Sequence, residues 1–149
     1  MTAKRFKKFF QLSWADRFLL LDAFLRLGVT RAALLVVPFK FIAPRLGRQT
    51  LDLPEDPDQG DPPEWTRRVS WAVETAAGQT PWESACLAQA ITGKFMLKRY
   101  GLETRLFLGM KKDSDGKLSA HAWLKAGNGI LIGASGHETF TILSVFIGN

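Results

Sequence analysis

The sequence predicts an α+β fold in which a helical half feeds an antiparallel sheet. Three observations predict it. Apolar residues recur at helical spacing up to Arg99, the period changes to two after Tyr100-Gly101, and polar turns separate the alternating runs that follow. A chain of 149 residues holds one domain, or one domain with an appendage, and hardly two complete cores. Its 46% hydrophobic and 23% charged residues are a globular composition, neither disordered nor fibrous. Charge-free runs such as Ala32–Phe39 and Thr139–Asn149 are shorter than the roughly 18 apolar residues of a membrane span. No cleavable apolar stretch follows the basic start directly, and a lone cysteine, Cys86, excludes internal disulfides and an all-cysteine metal cage. A reducing, cytoplasmic location is expected.

Taken in order, Trp14, Phe18, Leu21 and Leu25 define a first helix, with Ser13 as its N-cap and Gly28 as its stop. A second helix is expected from about Thr30, ended or kinked by Pro38 and Pro44. Residues 1–50 thus form an N-terminal helical region. Leu51–Pro63 follows with four prolines, one glycine and five acids, the composition of a linker. Residues 64–149 form the part that carries candidate chemistry. Its expected elements are a helix from Pro63 to Ala77 and another from about Ser84 to Arg99. Four strands follow, Thr104–Met110, Leu118–Lys125, Ile130–Gly133 and Thr139–Ile147. The last strand is apolar on both faces and is expected to be interior.

The charge is uneven. Residues 1–50 carry ten Lys/Arg against Asp16 and Asp22, whereas residues 51–65 carry six acids and no base. The basic end lacks the Lys/Arg runs with interleaved stacking aromatics of a nucleic-acid reader, so no nucleic-acid partner is expected. Its Leu, Phe and Arg content suits packing against the main domain and an apolar face for a partner protein, with contact to a membrane surface as the minor alternative.

Cys86 lies in Thr80-Pro-Trp-Glu-Ser-Ala-Cys-Leu-Ala-Gln, where two helix starts compete. Thr80, with Pro81 and Glu83, makes a capping box that would put Cys86 in the second turn; Ser84 as N-cap would put it in the first. Only the first turn offers unpaired N–H groups and a positive helix end to depress a thiol's pKa or hold an oxyanion. A cysteine on an apolar helix is more often inert core. His121, in Leu118-Ser-Ala-His-Ala-Trp-Leu, changes the balance, because a histidine between alanines on an apolar strand is costly to bury alone. A cysteine opening a helix, followed 35 residues later by a histidine on a strand, is the layout of cysteine–histidine catalysis. The base is expected to reach the sulfur across the helix–sheet interface, with Trp82 and Trp123 walling the substrate pocket.

The run Trp82-Glu-Ser-Ala-Cys-Leu-Ala-Gln-Ala, the Met96-Leu-Lys-Arg-Tyr-Gly-Leu segment, Leu108-Gly-Met, Ala120-His-Ala-Trp-Leu and Phe140-Thr-Ile-Leu together resemble the transglutaminase-like core. More narrowly, they resemble the leader peptidases of lasso-peptide biosynthesis, relatives of the microcin maturation protease. The resemblance covers about residues 60–149. It implies a papain-like fold and removal of the leader from a ribosomally made precursor, assisted by a separate leader-recognition protein. An ATP-dependent cyclase then closes the freed amine onto a side-chain carboxylate. No cofactor is implied for this chain itself. Residues 1–50, with helices and no strands, do not resemble the winged-helix recognition module, and so offer a dock for a separate one.

The family's third, acidic member that orients the histidine has no evident match. Across the hairpin centred near Gly127, the position opposite His121 is about Ile132 or Gly133, neither with a hydrogen-bonding side chain. Asn128, Glu138 or a backbone carbonyl are the candidates for that role. Asp113 and Asp115 are expected to be turn residues, and His137 a loop residue. Cys86, His121 and His137 lack the spacing of a structural zinc site, so no metal is expected. Two rivals to the peptidase stay open: a non-catalytic module that presents the precursor, and an acyltransferase or deamidase using the same pair.

Overall fold

The computed structural model describes residues 3–51, 60–79 and 86–148. After the basic helix α1 (Ala3–Gln11), the Ser13 hydroxyl accepts the Asp16 amide at 3.2 Å and caps α2 (Trp14–Val36) as expected. This helix runs straight through Gly28, where the sequence predicts a stop. An interior glycine costs a helix only about 1 kcal/mol. Here Ala23 and Leu27, fully buried on the inner side, and a 3.2 Å hydroxyl contact between Thr30 and Thr92 hold the helix against its neighbours. Pro38 ends it, and a short helix α3 (Phe39–Ile42) with a 3-10 turn leads to β1 (Arg48–Thr50).

The second half follows the expected order: α4 (Thr66–Ala77), α5 (Cys86–Lys98), β2 (Thr104–Lys112), β3 (Leu118–Ala126), β4 (Gly129–Ile132) and β5 (Thr141–Gly148). The last strand starts two residues late because His137–Thr139 form a 3-10 turn. The five strands make one sheet in the order β1-β5-β2-β3-β4, each pair antiparallel. β5 lies inside it, as its two-sided apolar pattern requires. β1 is an unannounced edge strand, for Arg-Gln-Thr has no alternation to reveal it.

Helices α4 and α5 cover one face of the sheet, and α2 packs against both helices. Their Leu27, Val73 and Ile91 share one core with Leu106, Leu124 and Phe146 of the strands. Residues 1–50 are therefore not an appendage: Ala23, Leu27, Ile42 and Leu46 belong to this core, and β1 pairs with β5. Most of the 51–63 connector lies outside the described residues. Its end packs on the β3–β4 hairpin, where the Asn128 amide donates to the Gly60 carbonyl at 2.9 Å. The opposite face of the sheet carries a smaller cluster of Phe107, Trp123 and Val145, bordered by Ile130, Phe140 and Ile142.

One buried charge ties the layers together. Lys94, 4% exposed, donates to the Thr104 carbonyl and hydroxyl, each at 2.9 Å, and to the Gly148 carbonyl at 3.0 Å. An ammonium has three donors, and all three are used. Its middle position in α5 gives no hint of this, because a lysine in a helical pattern reads as solvated. No helix among the described residues is long and apolar enough to cross a membrane.

Candidate active site

Cys86 is the first described residue of α5, a free thiol, partly buried against the helix-side core. Residues 80–85 lie outside the described residues. The choice between Thr80 and Ser84 as cap, and the position of Trp82, lie outside with them. His121 is half-buried on β3, opposite Gly109 of β2. Strand alternation puts its side chain on the Trp123 face, as the sequence predicts, while Ala122 and Leu124 face the helices.

The imidazole is held on three sides. Its Nε2 lies 2.7 Å from the Gly133 carbonyl oxygen, and its ring packs 5.8 Å from Trp123 and 5.1 Å from Phe140, centroid to centroid. A carbonyl only accepts, so Nε2 bears the proton and Nδ1 carries the lone pair of the neutral ring. Two glycines make this seat. Gly133 has φ +78°, and a Cβ there would lie 2.5 Å from the Ala122 carbonyl oxygen. A Cβ on Gly109 would come within 2.9 Å of both Phe140 Cβ and the Trp123 ring, so its absence lets those rings lie beside His121.

The orienting group is thus a backbone carbonyl, and neither side-chain candidate takes the role. Glu138 pairs with His137, 3.2 Å from its Nδ1, and Asn128 sits at the hairpin tip beside Gly60. The register also differs from expectation. Leu124 faces Ile132, because an irregularity between Leu124 and Lys125 shifts the hairpin, and β4 ends there without reaching the level of His121. Gly133 supplies its carbonyl from the turn beyond. Asp113 and Asp115 are turn residues as expected, accepting from the Ser119 hydroxyl at 2.6 Å and the Lys117 amide at 3.1 Å. His137 lies in the 3-10 turn with Nδ1 at 2.7 Å from the Ala134 carbonyl oxygen, and its ring rests 5.6 Å from Trp123. Among the described residues no three His, Cys, Asp or Glu side chains converge.

The thiol and the imidazole belong to different layers: Cys86 packs against the helix-side core, and His121 lies among the rings of the opposite face. Gly93 lies over Leu124 and Ile132, where a Cβ would meet their side chains at 3.2 and 2.3 Å. Cys86, seven residues earlier, stands about 10 Å back along α5. The expected route straight across the helix–sheet interface is not the one the structure offers, since Ala122 occupies that side. Among the described residues, β4 pairs with β3 only along Leu124–Ala126.

A helix that carries a cysteine, laid on an antiparallel sheet that carries a histidine, defines a thiol-bearing α+β domain. The family model described as the transglutaminase-like superfamily matches residues 33–145, and the chain belongs to that superfamily. No curated protein and no solved structure matches it.

Proposed function

We propose that this chain is a cysteine peptidase that removes the leader from a ribosomally made lasso precursor peptide. The superfamily includes cysteine peptidases, and the observation that carries the reading here is the Nε2 bond of His121 to Gly133, which leaves Nδ1 as the basic nitrogen. In this reading His121 Nδ1 takes the Cys86 thiol proton as the sulfur attacks the carbonyl carbon of the last leader residue. The tetrahedral oxyanion is met by the Cys86 backbone N–H. Collapse breaks the peptide bond, and His121 returns the proton to the departing amine, which is the new N-terminus of the core peptide. Water, deprotonated by the same nitrogen, then releases the leader as a carboxylate and restores the thiol. The chain needs no cofactor for these steps. A separate recognition protein brings the leader, and the cyclase that consumes the freed amine is the ATP user. The setting is cytoplasmic.

A second reading has one observation in its favour: the thiol and the imidazole border different layers of the fold, which suits a module that presents the precursor without cutting it. Incubation of precursor and recognition protein with the native chain, Cys86→Ala or His121→Ala, followed by mass spectrometry, separates the two. Loss of cleavage by about 10²-fold or more in both variants is expected. Unchanged cleavage with Cys86→Ala overturns the peptidase reading.

A further inference from the structure

We propose that the outer side of the N-terminal helices binds an anionic membrane surface. Helix α2 carries apolar side chains on two opposite sides, of which only one packs against the described residues. Ala23 and Leu27 are fully buried, whereas Trp14 is 73%, Phe18 68%, Leu25 66% and Val29 70% exposed. With the half-exposed Leu21, these four follow one another at spacings of three and four, so they form a single stripe on the side away from the core. The 23 residues of α2 make it about 35 Å long.

Cations edge both ends of the stripe. At the first, the Arg17 guanidinium lies over the rings of Phe9, Phe10 and Trp14 at 5.8, 5.4 and 5.0 Å. It also donates to the Phe9 carbonyl at 3.1 Å and to the Phe10 carbonyl, which fixes α1 against α2. Helix α1 itself adds Lys4, Arg5, Lys7 and Lys8, all exposed. At the other end, Lys40 stands 5.0 Å from the ring of the exposed Phe41, a few residues beyond the exposed Val36. The two acids of residues 1–50 are both engaged within the chain. Asp16 takes Arg68 and the Ser13 hydroxyl, and Asp22 takes Arg26 at 2.8 Å and Arg99 at 3.1 Å.

This pattern selects its occupant. A second copy would set two such basic surfaces face to face. A protein partner would need an apolar trough as long as α2 with acids along its rim. A bilayer containing anionic lipid supplies both requirements along a plane of any length: headgroup charge for the lysines, and an acyl boundary for the tryptophan, phenylalanine and leucine side chains.

The test is co-sedimentation of the full chain with vesicles of phosphatidylcholine alone or containing about 30% phosphatidylglycerol. Binding to the anionic vesicles is expected to be at least tenfold tighter and to weaken at about 0.5 M salt. The triple change Lys4→Glu, Lys7→Glu, Lys8→Glu should remove that preference. The change Trp14→Ser, Phe18→Ser, Leu25→Ser should weaken binding at least tenfold, and Leu118→Ser on the exposed hairpin should leave it intact. Circular dichroism checks each fold; if the apolar variant fails to fold, the charge variant decides. Equal partition into both vesicle types, no partition into either, or a charge-variant affinity equal to the native one overturns the proposal. So does a dimer that the apolar variant abolishes in sedimentation while vesicles bind nothing.

Discussion

The two faces of the sheet are built from the same strands and put to different uses. On the helix-covered face, β3 contributes Ala122, Leu124 and Ala126, all at most 1% exposed, to a core shared with α2, α4 and α5. On the other face, Trp123 and Phe107 stack at 5.4 Å and 3°, and among the described residues no α-helix covers them; the border is made by residues of the strands, by Phe140 and by His137 of the 3-10 turn. Small residues under the helices let α5 approach β3 closely. Large rings on the far face build a seat for one imidazole. The comparison teaches that one strand can fill a core with one face and seat an imidazole with the other, one residue apart.

The largest effect should come from truncating each face in turn. Phe146→Ala empties a fully buried site that touches Phe39 edge-on at 6.1 Å, and should cost about 3–5 kcal/mol in urea unfolding. Phe107→Ala, in the smaller cluster, should cost about 1–3 kcal/mol. Equal losses would break the comparison.

Next comes Lys94, held under the helices at the margin of that core. Burial lowers its pKa from the ordinary 10.5 to about 8, with Glu103 opposing the shift and Lys98 adding to it. The unfolded chain keeps the proton up to about its ordinary pKa, while the folded chain sheds it near 8. Stability should therefore rise between these values, and the cost of the buried charge should be full below about 8. The rise is bounded at about 3 kcal/mol and should be absent from Lys94→Met when the two are unfolded side by side across that range.

The smallest stability effect, and the sharpest for function, is Gly133→Ala. Positive φ and the approach to Ala122 should cost about 1–3 kcal/mol and move the carbonyl away from His121. Imidazole nitrogen chemical shifts should then show loss of the fixed tautomer, with cleavage reduced about tenfold to hundredfold. Gly136→Ala is the control: φ is +74° there too, but a Cβ would meet nothing within 4 Å, so the His121 signal should not move. An unchanged His121 tautomer in Gly133→Ala would remove the carbonyl from the site.

Much of this arrangement is legible from residue types. Period three to four located α2, α4 and α5, period two located β2 to β5, and Ser13 marked a helix start. The misses share a physical cause. Gly28 reads as a stop because propensity is local, whereas the packing of Leu27 and its neighbours is not. Arg48–Thr50 forms a strand because β5 offers it an edge, not because its side chains alternate. Lys94 is buried by the ends of two strands distant in sequence. The partner of His121 was narrowed only to Asn128, Glu138 or a backbone carbonyl, because a main-chain oxygen is a group every residue possesses and no sequence pattern marks which one serves.

That choice of partner has its own logic. A carboxylate in the same place would take up a proton in acid and lose its grip; an amide oxygen has no such transition within the range where the fold survives. The histidine is consequently aimed by a device indifferent to acidity, at the expense of the negative charge that would have steadied its cationic form.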